Sequence, residues 1–504
     1  MGATLVRSSL SPNIRERRDL SCAVFDARGQ MVAQAAHIPV HLGAMPASVA
    51  AVQPLAPFAP GDVIVLNDPY LGGSHLPDVT MVSPVFSEGG RRRLIGYVAS
   101  RAHQSDIGGM TPGSMPLAAE LIQEGLVIPP VRLYHRGVLQ ADVLALILRN
   151  VRTPVERRGD FEAQVAAQRT GERRLVELAT RYGTRVLLRR MDELLDYAER
   201  LTRARLSRIP PGTYEFADAL DDDGVTDEPV PIRVRLTIAD GGIEADFTGS
   251  SAQRPSSVNA VAAVTRSALY YAVFCLLGGD APLNAGCFRP IDVVLPEASI
   301  VSPRAGLAVS AGNVETSQRI VDVVLGALAI ALPDVIPAAS NGSMSNVVIG
   351  GFDVARDRPF TYYETLGGGA GAGPEGDGLS AVHSHMTNTL NTPIETIEST
   401  FPMRVTEYAI RRDTGGSGAH TGGDGMRRSY EFLVPAKVTL MTERRRLRPW
   451  GLLGGSDASV GTNHLTHADG TTVGLPSKAN LTVEAGDVLS VDTAGGGGWG
   501  APGA

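Results

Sequence analysis

Lysine is almost absent from this sequence of 504 residues, since only Lys437 and Lys478 occur among its 46 lysine and arginine residues. A phosphate-cradling loop of the GxxxxGK(S/T) type needs a lysine directly after a glycine. Both lysines follow other residues, in PAKV and PSKA, so the sequence excludes a Walker-type nucleotide hydrolase. Positive charge is not in excess either, because the net charge is −7. We therefore expect no nucleic-acid partner.

Cysteines and long apolar stretches are also scarce. Cys22, Cys275 and Cys287 are too few and too unevenly spaced for a disulfide framework or a CxxC zinc site. The first 20 residues are rich in charge and contain no apolar core of a signal peptide. The longest uncharged apolar stretch, 323–333, falls short of the roughly 20 residues that span a bilayer. These absences predict a reduced, soluble, cytoplasmic protein outside the membrane.

The spacing of apolar residues changes along the chain and predicts four regions. In order, these regions are 1–153, 154–212, 213–335 and 336–504. The first has short strand patterns between turns, and the second has apolar residues at helical spacing among dense charge. The third combines strands with two apolar helices, over 258–278 and 316–332, and the fourth is rich in glycine. We predict a mixed α+β fold of several layers, with short-strand sheets, a central amphipathic helical segment and a glycine-rich β C-terminal region.

Two His-x-x-Asp pairs give the sharpest local signal. His75 and Asp78 lie in NDPYLGGSHLPDVT, and His103 and Asp106 lie in ASRAHQSDIGG, each at the edge of an apolar strand. Asp68 precedes the first pair by a glycine loop. Imidazole and carboxylate together suit a divalent transition metal, and this mixture leaves Mn, Fe and Zn open. The donors would converge if the two strands are neighbours; otherwise they are ordinary polar loop residues.

A second polar group opens the apolar helix predicted after residue 311. Its members in AGNVETSQRIVD are Glu315, Gln318, Arg319 and Asp322. Asn313 is a candidate N-cap, and Glu315 suits the first turn of a helix, so capping and dipole chemistry is one interpretation. The functional alternative is that Glu315 and Arg319 face a polar pocket.

Glycine and histidine mark the C-terminal region. The run YYETLGGGAGAGPEGDG at 362–378 frees the backbone to approach a ligand or another segment closely. His383 and His385 alternate as on a strand and would share one face. The terminal AGGGGWG is either a mobile tail or a glycine turn packed against Trp499.

Two further features allow a structural as well as a functional interpretation. Cys287 could be a nucleophile, but cysteine commonly behaves as a small buried hydrophobic residue. The acidic run at 218–228 lacks the alternating ligand positions of a calcium loop, and we predict a solvated turn there.

Eight motifs, in order along the whole chain, resemble the hydantoinase B/oxoprolinase family. They are SPNIRERRDLSCAVFD, HIPVHLGAMPASV, LNDPYLGGSHLPDVT, SRAHQSDIGGMTPGSMP, GNVETSQRIVD, YYETLGGGAGA, HSHMTNTLNTPIE and GGGGWG. That family comprises the B subunits of ATP-dependent N-methylhydantoinases, the matching half of fused oxoprolinases, and the alpha-type subunits of acetone and acetophenone carboxylases.

The resemblance implies the B (beta) subunit of an ATP-dependent hydrolase that opens a cyclic amide such as a hydantoin or 5-oxoproline. The partner would be an A-type subunit with an actin-like ATPase fold, which binds ATP and activates the substrate by phosphorylation. A metal-bearing carboxylase subunit is an alternative, and a non-catalytic scaffold is another.

The resemblance also implies site residues. In the carboxylase branch a divalent metal lies on a His-x-x-Asp pair and a later His, which carries over to His75, Asp78 and His103. We assign the candidate catalytic residues as Asp68, Asp106, Glu315 and Arg319. Asp68 and Asp106 would be additional ligands or hold the outer nitrogen of an imidazole.

Two departures from the family pattern stand out. Many relatives have a His-His pair where this chain has His103-Gln104, so any role of the second imidazole is missing here. Relatives also usually extend further upstream of a similar Met-Gly, so either the start codon was placed late or an N-terminal helix is missing.

Overall fold

The computed structural model describes residues 1–35, 38–88, 92–278 and 281–503, and it has the predicted mixed α+β architecture. The α-helices are α1 (Gly2–Ser8), α2 (Pro12–Arg15), α3 (His41–Val52), α4 (Leu121–Glu124), α5 (Ala141–Arg149), α6 (Pro154–Tyr182), α7 (Thr184–Leu206), α8 (Ala262–Cys275), α9 (Ala285–Phe288), α10 (Ser317–Ala331) and α11 (Ile394–Thr400). Short 3₁₀ turns occur at Gln53–Leu55, Pro69–Leu71 and Pro112–Ser114, and a π-helical turn at Gly312–Thr316.

The strands form four sheets. Those of the N-terminal sheet are β1 (Leu20–Phe25), β2 (Met31–Ala35), β3 (Val63–Leu66), β4 (Asp78–Phe86), β5 (Leu94–His103), β6 (Val131–His135) and β7 (Val138–Leu139). The second sheet has β8 (Gly212–Leu220), β9 (Val230–Ala239), β10 (Gly242–Asp246) and β11 (Ile291–Val294). The third has β12 (Asn346–Asp353), β13 (Arg358–Glu364), β16 (Ala436–Met441) and β19 (Lys478–Val483). The fourth has β14 (Met403–Arg411), β15 (Gly425–Phe432), β17 (Thr462–Thr466), β18 (Thr472–Leu475) and β20 (Val488–Asp492).

The N-terminal sheet is antiparallel, with strand order β2-β1-β5-β4-β3-β6-β7. Its first hairpin joins β1 to β2 through a turn in which the Asp26 amide donates to the Gln30 carbonyl. The two central strands, β4 and β5, are buried along almost their whole length, because helices α3 and α6 pack against them. Their register pairs Asp78 with His103, which brings one end of each strand together.

The predicted amphipathic segment is the helical hairpin α6–α7. Buried residues of α7 recur every three to four positions, as a helix with one apolar stripe requires. They are Met191, Leu195, Ala198, Thr202 and Leu206. Gly183 lies between the two helices and has a φ of +84°. Glycine adopts this left-handed conformation readily, whereas other residues do so rarely.

The two predicted apolar helices are α8 and α10. Every residue of α10 except Ile330 is buried, because the helix packs on β8, β9 and α8. Helix α10 and the N-terminal sheet contribute to the same large apolar cluster, which contains Val65, Val79 and Val324. A continuous core therefore joins residues that the sequence pattern had placed in different regions.

Glycine-rich segments in the C-terminal region lie against one another with backbone touching backbone. The Gly369 amide donates to the Ala494 carbonyl, and the Gly496 amide donates to the Gly423 carbonyl. We call residues 367–373, 414–423 and 494–500 the glycine bundle. The terminal AGGGGWG is thus a packed segment, and the alternative of a mobile tail is wrong.

Replacing Gly496 by alanine should destabilise the protein. A Cβ atom at Gly496 would lie 2.0 Å from the Ala370 carbonyl oxygen, so the backbone of the glycine bundle would have to shift. We expect the free energy of unfolding to fall by about 1–3 kcal/mol, as in other overpacked interiors. Gly474→Ala is the matched control, because nothing lies within 4 Å of a Cβ atom there. Denaturant titration of both variants measures the difference, and equal stability would contradict this packing.

The described helices also bear on a membrane location. Within the described ranges, every helix is too short or too polar to cross a lipid bilayer.

Candidate metal centre

The ends of two neighbouring strands bring the candidate ligands together. Asp78 is the first residue of β4 and His103 is the last residue of β5, and the antiparallel register places them opposite each other. His75 lies three residues before Asp78, on the loop that enters β4. The convergence predicted for adjacent strands is therefore present for these three residues.

The loop that carries His75 is held in a tight conformation. Gly72 has a φ of +94°, and a Cβ atom there would lie 2.5 Å from the Ala47 carbonyl oxygen, so the loop touches helix α3. The buried Arg101 guanidinium donates to the Gly72 carbonyl at 3.1 Å and to the Ser74 hydroxyl at 3.3 Å. These contacts fix the approach of His75 to the strand ends.

Two imidazole nitrogens and the two oxygens of one carboxylate lie close together. His75 Nε2 lies 3.2 Å from His103 Nδ1 and 3.4 Å from Asp78 Oδ2. His103 Nδ1 lies 3.4 Å from Asp78 Oδ1. The three residues are at most 2% exposed. We call His75, Asp78 and His103 the metal triad.

The spacing and the chemistry of the triad fit a divalent ion. Bonds of about 2.1 Å in a tetrahedral arrangement require donors about 3.4 Å apart. Each imidazole nitrogen lies about this far from the other and from one of the two Asp78 oxygens. The outer ring nitrogens, His75 Nδ1 and His103 Nε2, are not the triad donors, and in the described parts of the chain they have no hydrogen-bond partner. Three protein ligands would leave a position for water or a substrate oxygen, as in catalytic zinc sites. The donor set therefore fits a catalytic ion better than a closed structural site.

Electrostatics favours the protonation states that ligands need. Burial alone would raise the pKa of Asp78, but the His75 and His41 imidazoles and a hydrogen bond from His103 hold it well below its usual range. Burial lowers the pKa of His103, although its contact with Asp78 opposes this. At neutral pH the triad therefore presents a carboxylate and a neutral His103 imidazole.

The structure adds His41 and Asp19, which sequence reasoning missed. His41, the first residue of α3, lies with Nε2 at 3.3 Å from Asp78 Oδ2, and its Nδ1 is 2.8 Å from the Ser21 hydroxyl. Asp19 Oδ2 lies 4.0 Å from His103 Nδ1. Neither residue is part of a His-x-x-Asp pair. Their closeness to the triad depends on how α3 and β1 lie against the neighbouring strands of the folded sheet.

An aromatic ring from the C-terminal region covers the triad. Tyr363 on β13 stacks on His103, with ring centroids 4.2 Å apart and planes 9° apart. Its hydroxyl donates to Asn346 Oδ1 at 2.8 Å, and Asn346 donates to Glu315 Oε1 at 2.8 Å. Glu315 is thereby linked to the triad through two side chains.

Asp68 and Asp106 have other contacts. Asp68 accepts a hydrogen bond from the Tyr70 amide at 2.9 Å and caps the 3₁₀ turn before the triad loop. Asp106 accepts hydrogen bonds from the Gly108 amide and from Arg152, whose guanidinium lies at 2.9 Å. Neither carboxylate bonds to a triad imidazole, so both shape the loops around the site.

The polar residues near the start of α10 are buried. One expectation about this part of the chain is wrong, and a second is wrong in part. Asn313 is not an N-cap: it lies inside the π-helical turn and makes no capping bond. The acidic run is solvated only in part: Asp227 and Glu228 are exposed, whereas Asp218 pairs with Arg319 at 3.0 Å and Asp222 pairs with Lys478 at 3.2 Å. Density of charge suggested exposure, but the compensating cations come from distant segments.

The remaining candidates have no direct contact with the triad. His383 and His385 do not lie on a strand, and His385 has a φ of +55°. His385 Nε2 is instead 2.7 Å from the Ser340 hydroxyl. The Cys287 thiol is buried, which raises its pKa, and it donates to the Pro282 carbonyl. Cys287 therefore fits the buried hydrophobic interpretation.

These observations define a mixed α+β protein with a buried His-Asp-His group suited to a divalent cation. A sequence model of the hydantoinase B/oxoprolinase family matches residues 1–502. The chain belongs to this family.

Relatives and solved structures agree with this assignment. The chain is 39% identical to 5-oxoprolinase 1 of Arabidopsis thaliana, over 99% of this chain and 40% of that protein. It is 32% identical to the B subunit of the putative D-/L-hydantoinase of Pseudomonas sp. strain NS671, over 100% and 87% of the two chains. The crystal structure of the ATP-dependent caprolactamase from Pseudomonas jessenii matches with a TM-score of 0.92 and 29% identity, over 99% of this chain and 88% of that one. The chain thus spans about two fifths of the 5-oxoprolinase.

Proposed function

We propose that this chain is the B subunit of an ATP-dependent cyclic-amide hydrolase of the hydantoinase/5-oxoprolinase type. The observation that carries the proposal is the buried metal triad, in which the two imidazole nitrogens lie 3.2 Å apart and each lies 3.4 Å from one Asp78 oxygen. Its support comes from relatives named as a 5-oxoprolinase, a hydantoinase and a caprolactamase, all of which are named for cyclic amides. The substrate class is a small ring amide such as 5-oxoproline or a hydantoin.

His75, Asp78 and His103 would hold one divalent ion, Mn, Zn or Fe. Such an ion acts as a Lewis acid that polarises a carbonyl oxygen or lowers the pKa of a bound water. The chain itself contributes a dry environment, in which electrostatic interactions are stronger than in water. Tyr363 holds the ring of His103 by stacking, and Asp78 stays ionised at neutral pH because of the imidazoles around it.

The partner would be an A-type subunit that binds ATP and activates the substrate by phosphorylation. This division of labour agrees with the sequence, in which neither lysine follows a glycine. It also agrees with the share of the 5-oxoprolinase that the chain does not span. A cytoplasmic location fits Cys22, Cys275 and Cys287, which are all unpaired.

We expect the purified chain to hydrolyse no ATP by itself and to co-elute with a co-expressed A-type subunit. The reason is the missing phosphate-binding lysine loop together with the resemblance to a hydantoinase component of the B type. Measuring ADP release before and after removal of any co-purifying protein tests the first point, and size-exclusion chromatography tests the second. Sustained ADP production by the isolated chain, or separate elution at micromolar concentrations, would contradict the proposal.

The substrate assay separates the proposal from its alternatives. The co-expressed pair is supplied with ATP and with 5-oxoproline, hydantoins or simple ketones. Ring opening of an amide supports the hydrolase, whereas carboxylation of a ketone in the presence of bicarbonate would support the carboxylase alternative. An activity that persists after the metal triad is removed would support the scaffold alternative.

A further inference from the structure

His41 is buried beside the metal triad without belonging to it. The residue is 1% exposed and begins helix α3. Its Nε2 lies 3.3 Å from Asp78 Oδ2, and Asp78 is the one acidic residue within 4.0 Å of this imidazole in the described ranges. His41 is not among the residues whose ligand atoms all lie within 4.8 Å of one another. It therefore contacts a candidate ligand rather than completing the ligand set.

The other nitrogen of the His41 ring shows where the imidazole hydrogen lies. His41 Nδ1 is 2.8 Å from the buried Ser21 hydroxyl, whose oxygen accepts the Ile38 amide at 3.4 Å. Among the described residues, Nδ1 is the one acceptor for the hydrogen of this hydroxyl. A neutral imidazole that accepts at Nδ1 carries its hydrogen on Nε2, and a protonated imidazole carries one there as well. The Nε2–H group therefore faces Asp78 Oδ2.

A second donor meets the same carboxylate oxygen. The Ser74 hydroxyl donates to Asp78 Oδ2 at 2.5 Å and accepts the buried Arg101 guanidinium at 3.3 Å. Asp78 Oδ1 lies 3.4 Å from His103 Nδ1. A carboxylate that two donors hold at one oxygen cannot rotate freely, so the position of its other oxygen is fixed as well.

Hydrogen-bond partners of metal ligands fix the orientation of those ligands. We propose that His41 is a positioning residue of the metal centre, whose Nε2–H acts with the Ser74 hydroxyl to hold Asp78 Oδ2 and to orient the carboxylate toward an ion on the metal triad. This inference rests on the proposed function, because it requires a divalent ion on the triad. It deepens that function by giving a role to a residue outside the ligand set.

The test compares His41→Leu with His41→Gln in the purified full chain, titrated with Zn²⁺ in competition with a chelating dye. Leucine has no donor, so the Kd for zinc should rise roughly 10- to 100-fold, as is typical when the partner of a ligand is removed. Glutamine has an N–H donor at the end of its side chain, so its Kd should stay close to that of wild type.

His135→Leu is the matched control. His135 lies on β6 of the same sheet and also faces an aspartate, with Nδ1 at 3.0 Å from Asp62 Oδ1. This pair is separate from the metal triad. The Kd for zinc should therefore be unchanged in the control.

Co²⁺ in place of zinc gives a second measurement, because its visible absorption depends on the geometry of its ligands. The spectrum of His41→Leu should differ from that of wild type, and His41→Gln should restore it. A His41→Leu chain that is less stable in denaturant, but has an unchanged zinc Kd and cobalt spectrum, would mean that the ring only fills space, and this would overturn the inference. Equal changes in His41→Gln and His41→Leu would also overturn it, because the imidazole itself would then be needed at the ion.

If His41→Leu does not fold, Ser21→Ala decides. The loss of the Ser21 hydroxyl removes the group that fixes the His41 ring, so the Kd for zinc should rise in the same direction. An unchanged Kd in Ser21→Ala would overturn the inference.

The wild-type chain separates this inference from the proposed function. If wild type and His41→Leu bind zinc equally tightly, and both bind it more tightly than His75→Ala, only the role of His41 is overturned. If wild type binds zinc no more tightly than His75→Ala, the metal assignment of the triad is overturned, and the role of His41 is overturned with it.

Discussion

His75→Ala is expected to remove the metal from the chain and to lower the activity of the complex by about 10³-fold or more. A metal ion stabilises developing charge by several kcal/mol, and each step of about 1.4 kcal/mol corresponds to a factor of ten. Alanine removes one of the three triad residues, and neither His41 nor Asp19 belongs to the group of described residues whose ligand atoms all lie within 4.8 Å of one another. The fold should survive, because the imidazole lies on a loop rather than within a strand.

Elemental analysis after chelation and refilling measures the metal content of wild type and variant. His464→Ala is the matched control, because His464 lies on β17 in the fourth sheet and is no part of the metal triad. It should retain both the ion and the activity. Equal metal content in His75→Ala and wild type, or a fully active wild type without metal, would refute the assignment of the triad.

The second large effect concerns stability. Arg319→Met should lower the free energy of unfolding by about 3 kcal/mol, since removing one partner of a buried ionic network leaves uncompensated charge. The Arg319 guanidinium lies 3.0 Å from Asp218, 3.4 Å from Asp322 and 3.3 Å from Glu443. Arg444 and Lys478 compensate part of this charge, at 2.7 Å from Asp322 and 2.5 Å from Glu443.

Denaturant unfolding of Arg319→Met measures the loss, with Arg235→Met as control. Arg235 also pairs with a glutamate, Glu215 at 2.7 Å, but both side chains are more than half exposed. Exposed pairs contribute little, so the control should unfold like wild type. A variant of normal stability that has lost only its activity would instead support the catalytic role first considered for Arg319.

The sequence offered the triad residues chiefly through the family resemblance. The spacing of the two His-x-x-Asp pairs indicated donor chemistry, but it left open whether the two strands are neighbours or the residues belong to ordinary polar loops. His41 was missed because it begins a helix whose position depends on the whole N-terminal sheet. Tyr363 was missed because nothing in a strand pattern tells which residue, far along the chain, will stack on an imidazole.

The mixed α+β fold class was predicted correctly from the periodicity of apolar residues. Periodicity located the amphipathic pair α6–α7 and the apolar helices α8 and α10. Patterns of charge were less informative, because the acidic run around Asp222 looks solvated until its counter-ions are known. The glycine runs predicted a close approach of the backbone to a ligand or another segment, without identifying which. The structure shows that the neighbouring segment is other glycine-rich backbone.

The stacking of Tyr363 on His103 has a consequence for biosynthesis. All three triad residues lie in the first 103 residues, whereas Tyr363 follows roughly 260 residues later, and the glycine bundle closes only with residues 494–500. At about 5–20 residues per second, a ribosome needs on the order of 10–50 s between His103 and Tyr363. During this interval a nascent chain has its ligands but not their aromatic cover. Metal loading during translation would meet an open site, and loading of the finished chain would meet a closed one.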